Sequence, residues 1–130
     1  MTLEAWDERY KPNLDWNHAW GTAPVNIIAR YMWGITPLKP GYTTVQIKPQ
    51  LKSLTFSSIN VPTIKGGIYA DYKLKREGIH LYEINLPAGM DGKFVLPNVS
   101  EKVLFNEELI DARLKVLQLK SGLNKVAIYE

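Results

Sequence analysis

Cysteine is absent from the chain. Disulfides and thiolate metal sites are thereby excluded, and the redox compartment is left open. Long apolar runs are missing too: no stretch of about 18 uncharged apolar residues occurs, so nothing reads as a membrane-spanning helix. No basic stretch followed by an apolar one opens the sequence, so no signal peptide is visible and localisation stays undetermined. Histidine is scarce, and neither His18 nor His80 stands at a spacing from acidic residues that suits a metal. No glycine-rich phosphate loop, nucleophile elbow or dinucleotide fingerprint is present, so no cofactor is expected. The net charge is only +3, and the lysines are scattered among apolar residues. That is the pattern of solvated strand faces, not of a surface that tracks nucleic acid.

Tryptophan is missing from everything beyond position 33, and what lies before it is therefore conspicuous. All four tryptophans, Trp6, Trp16, Trp20 and Trp33, fall in the first third, beside Glu4, Asp7, Glu8, Asp15 and His18. Indole faces stack on the C–H faces of sugars, while carboxylates and imidazole meet the hydroxyls. Glycoside hydrolysis needs two carboxyl groups, and this stretch has candidates for one of them. Taken singly, each residue reads equally as core, surface or interface. Asp7 and Glu8 are expected to be solvated or paired with Arg9. Trp33 is expected in interdomain packing, and His80, between Ile79 and Leu81, as an ordinary strand residue.

One helix is predicted over residues 17–33. Val25, Ile28 and Met32 lie on one face, with Ile27 and Tyr31 widening the stripe. Pro24 fits its first turn, and Gly34 its end. The helix is expected to dock on the following domain through Ile28, Met32 and Trp33, with residues 1–16 held loosely. Pro37 and Pro40 then stiffen a connector.

From Tyr42 the hydrophobic period becomes two. Strands are expected at 43–48, 54–61, 67–75, 79–86, 93–96, 102–105, 114–119 and 125–129, with turns at 76–78 and 105–109. The aromatic residues of this part fall where alternation puts core positions. The fold class is thus mainly β: an antiparallel, jelly-roll-like β-sandwich preceded by one N-terminal α-helix.

Three motifs carry a resemblance. They are Thr2-Leu3-Glu4-Ala5-Trp6, the run Asn17-His18-Ala19-Trp20-Gly21-Thr22-Ala23-Pro24, and Trp33-Gly34-Ile35-Thr36-Pro37 followed by Pro40-Gly41. Their order and spacing resemble the closing segment of bacterial α-L-rhamnosidases of glycoside hydrolase family 78. The resemblance implies that residues 1–35 end an (α/α)6 catalytic barrel, that 36–41 form a linker, and that 42–130 form the C-terminal β-sandwich. It implies that Glu4 is the general base of an inverting mechanism, that His18 binds rhamnose hydroxyls, and that Trp6 and Trp20 line or support the pocket. The family's general acid lies upstream, and nothing here supplies it. The chain is therefore expected to be inactive alone, with rhamnose-containing glycosides and the upstream barrel as partners of the intact enzyme. No nucleic acid, membrane or metal partner is expected, and homo-oligomerisation is left open. The alternative reading is a carbohydrate-binding or oligomerisation module without catalytic role.

Overall fold

The computed structural model describes Ala5, Asp7, Arg9, Tyr10, Pro12, Asn13 and residues 18–51, 53–96, 102–111 and 113–129, apart from the side chains of Trp20 and Glu77. The predicted helix appears as a continuous helical segment of changing pitch. A 3-10 turn (Ala19–Thr22) leads into α1 (Ala23–Ile27), which widens into a π turn at Ile28–Met32. Pro24 sits in the first turn of α1, where its missing N–H leaves no bond unmade. The π turn closes with the Trp33 amide donating to the Ile28 carbonyl at 3.0 Å. Gly34, at φ +64°, then reverses the chain.

Among the described residues ten strands follow: β1 (Thr36–Pro37), β2 (Thr44–Ile47), β3 (Phe56–Thr63), β4 (Gly66–Lys75), β5 (Ile79–Leu86), β6 (Asp91–Val95), β7 (Lys102–Phe105), β8 (Glu108–Ile110), β9 (Val116–Leu119) and β10 (Gly122–Tyr129). They form a four-stranded sheet, β1-β2-β6-β9, and a six-stranded sheet, β3-β4-β5-β10-β7-β8. Every pairing is antiparallel except β2 with β6.

Alternation along the strands builds one core between the sheets. Ile68, Ala70 and Tyr72 point inward from β4, and Tyr82, Ile84 and Leu86 from β5. They meet Val45 and Ile47 of β2, Phe94 of β6, and Leu117 and Leu119 of β9. A chain of rings crosses from sheet to sheet. Tyr72 stacks on His80 at 5.9 Å and tilts against Tyr82 at 5.0 Å, which meets Phe94 edge-on at 5.1 Å.

The sandwich expected from the sequence is present, with differences that have physical causes. Two strands exceed the eight expected. β1 lies inside the segment expected to be a connector, and its two residues pair with Val45 and Gln46. β8 follows a tight turn in which Asn106 and Glu107 both take positive φ, the geometry that suits a right-twisted hairpin. Trp33 and Ile35 belong to the sandwich core itself. His80 is the strand residue expected, in β5, and it is buried with Nδ1 2.9 Å from the Tyr72 hydroxyl. Phe56 and Tyr69 depart from the expected core pattern and face outward, 72% and 52% exposed.

Candidate functional site

The helical segment is fixed at its C-terminal end and open along its side. Trp33 is wholly buried, and its indole N–H donates to Ser57 Oγ on β3 at 3.1 Å. Met32 packs on the core, and its carbonyl accepts from the Gln50 amide at 2.7 Å. Gln50 also donates its side-chain amide to the Tyr31 carbonyl at 3.2 Å. These bonds satisfy carbonyls that a helix end leaves without internal partners. Of the three residues expected to dock, Met32 and Trp33 do so, while Ile28 remains 42% exposed.

The rest of the apolar stripe stays uncovered among the described residues: Val25 is 70% exposed and Tyr31 65%. Val25 and Ile28 form one wall of an open groove of about 540 Å³. Ile59 and Val61 of β3 form the other, with Ile35 and Tyr42 also lining it. β3 is the end strand of its sheet, so the groove runs beside a free strand edge. Asn26, Arg30 and Asn60 add hydrogen-bonding groups. Tyr42 holds φ +53° after Gly41 at +67°, a turn that turns the tyrosine back onto the core. Sequence periodicity found the helical wall. The Tyr42 and β3 wall was missed, although Pro62 within a strand pattern is a signal of an edge.

Of the residues expected to carry chemistry, His18 and the backbone of Trp20 are described, at the start of this segment. Glu4 and Trp6 fall outside the described residues, as do Glu8, Asp15 and Trp16. Trp20 lies within the first helical turn, and its side chain is outside the description. His18 is half-buried immediately before that turn, and its carbonyl accepts from the Gly21 amide at 3.0 Å. Asp7 is paired as expected with Arg9: the Arg9 Nη2 stands 3.1 Å from its carboxylate. The Arg9 backbone amide, followed by its guanidinium, holds the Asp7 carboxyl below the usual carboxylate range. An acid so held stays ionised and is poorly suited to donate a proton. Among the described residues, no group of three or more acidic, histidine or cysteine side chains is placed to hold a metal.

The family model described as the bacterial alpha-L-rhamnosidase C-terminal domain matches residues 34–109. Three solved structures share the fold. An alpha-L-rhamnosidase from Dictyoglumus thermophilum aligns with a TM-score of 0.70 at 19% identity, over 85% of this chain and 14% of that one. One from Streptomyces avermitilis, complexed with L-rhamnose, aligns with 0.70 at 18%, over 98% of this chain and 13% of that one. One from Aspergillus terreus aligns with 0.68 at 19%, over 98% and 14%. No curated protein sequence matches. The chain thus spans 13–14% of the length of the enzymes it resembles.

Proposed function

Because the chain belongs to the bacterial alpha-L-rhamnosidase C-terminal domain family, we propose that it is the closing piece of a glycoside hydrolase that releases terminal α-L-rhamnose. Its sandwich supports the catalytic domain, and the chemistry is completed elsewhere. One observation carries this reading. The helical segment is locked into the sandwich at Trp33, yet presents Val25 and Ile28 to an open groove and leaves Tyr31 exposed. An apolar helix face left uncovered beside a free strand edge is a surface shaped for more protein.

Residues 1–35 close the catalytic (α/α)6 barrel in this proposal, 36–41 link, and 42–130 form the support. Trp33 and Ile35 are then the plug by which the first unit is anchored in the last. Glu4 acts as the base that deprotonates water, and His18 binds the sugar hydroxyls. Trp6 and Trp20 wall or support the pocket. The acid that protonates the leaving oxygen comes from the remainder of the enzyme, about 6.5–9.5 Å from the base across the water, as inversion requires.

Hydrolysis of an aryl α-L-rhamnoside tests this. The chain alone is expected to give no turnover. The intact enzyme is expected to be active, and its Glu4→Gln variant to lose activity while keeping its fold. Turnover by the chain alone, or an active Glu4→Gln variant, would overturn the assignment.

A further inference from the structure

We infer that the outer face of the six-stranded sheet is a self-complementary interface between two copies of this chain. Three adjacent rows among the outward side chains that the register defines make up this face. The middle row runs Phe56, Lys73, Leu81, Ala127, Leu104, Leu109 from edge to edge. One flanking row is Ser58, Asp71, Glu83, Lys125, and the other is Lys75, Ile79, Tyr129, Lys102. The middle row is largely apolar on a face that strand alternation should leave polar. Its two ends, Phe56 and Leu109, are 72% and 69% exposed. A shallow trough of about 180 Å³ lies over Leu81, Ala127 and Leu104.

The charges beside this row are only partly matched within one copy: Glu83 stands directly opposite Lys125, whereas the residues directly opposite Asp71 are Ser58 and Glu83. Asp71 and Glu83 stand directly opposite each other on β4 and β5, and like charges in that position are mutually destabilising. Neither forms an ion pair with a described residue; the Ser58 hydroxyl donates to Asp71. Lys75 is likewise without an ion pair.

A two-fold axis in the plane of the sheet, across the strands and along the middle row, changes this arrangement. It lays the middle row on its own copy and exchanges the flanks. Asp71 then faces the partner's Lys75, and Lys75 faces the partner's Asp71, so the pairing is made twice. The Tyr129 ring takes no part in this exchange, because Lys102 of its own chain already stands 5.1 Å from its centroid. Lys73, on the axis, has a stem long enough to direct its ammonium sideways. Such an isologous contact is how closed dimers form, and face-to-face sheets pack about 10 Å apart with strands roughly aligned. Six strands and three rows span roughly 600 Å² in plan, a footprint that suits a reversible dimer more than an obligate one. This inference stands apart from the catalytic reading, because its charge pair lies on β4 of the outer sheet face, which does not line the helical groove.

Sedimentation equilibrium of the chain over a wide concentration series tests it. A reversible dimer is expected. Asp71→Lys and Lys75→Asp should each weaken association roughly tenfold or more, and the double variant Asp71→Lys/Lys75→Asp should restore it. Both sites are exposed, and circular dichroism checks that each variant folds. A chain monomeric at every concentration would overturn the inference. So would a dimer indifferent to these reversals, or one lost instead on Ile28→Lys in the helical groove.

Discussion

The indole N–H of Trp33 donates to the hydroxyl of Ser57 at 3.1 Å, across 24 residues of chain. This bond joins the end of the helical segment to β3 and closes one end of the core. It also satisfies the one polar atom of a side chain that is otherwise fully buried. Ser57→Ala should therefore destabilise the chain by about 1–3 kcal/mol, the cost of an unsatisfied buried donor. Trp33→Ala should cost more, about 3–5 kcal/mol, because a cavity is added to the lost burial. Urea titration of both variants checks the order, and equal effects would mean that Trp33 is not the plug described.

Gly34 admits no side chain for two independent reasons. Its φ is +64°, and a Cβ there would lie 2.2 Å from the Lys48 carbonyl oxygen. The obstacle is backbone, so no rotamer change relieves it. Gly34→Ala should destabilise by more than the ~1–2 kcal/mol of the left-handed conformation alone. By contrast, a Cβ at Gly122, at φ +91°, meets nothing within 4 Å. Gly122→Ala should therefore cost only the conformational part, and thermal melts of the pair should separate the two terms.

Asp111 is held below the usual carboxylate range by the Arg113 guanidinium, then by the Arg113 backbone amide. A depressed folded-state pKa stabilises above the unfolded value and is lost as pH falls through the folded one. The contribution is therefore complete above about pH 4 and fades below it. The pair is fully exposed, so the effect on global stability is slight. A carboxyl titration followed by NMR should find Asp111 ionised to lower pH than a free aspartate, and Arg113→Ala should return it toward the ordinary value.

The sandwich was legible because the β4–β5 hairpin alternates cleanly. Ile68, Ala70 and Tyr72 face in, and Tyr69, Asp71 and Lys73 face out. β1 was not legible, since its two residues include a proline and its pairing with β2 depends on the chain doubling back through Gly41 and Tyr42. Phe56 and Tyr69 were misplaced because alternation fixes which residues share a face, and only packing decides which face is inside. The docking of Met32 and Trp33 on the sandwich was legible, but the full entry of Trp33 into the core was not, because it depends on the turn at Gly34 and the bond to Ser57. The groove was half legible, since Val25 and Ile28 are periodic while Tyr42 and β3 join them only through the fold.

The most direct measurement compares one substitution in two settings. Ile28→Lys places a charge on the open wall of the groove. In the chain alone, Ile28 is already 42% exposed, so the unfolding free energy from a urea titration should change by no more than about 0.5 kcal/mol. In the intact enzyme, the same charge would be buried without a partner. It should cost several kcal/mol and lower rhamnoside hydrolysis in parallel. Equal and small effects in both settings would contradict the account, because nothing would then cover the helical face.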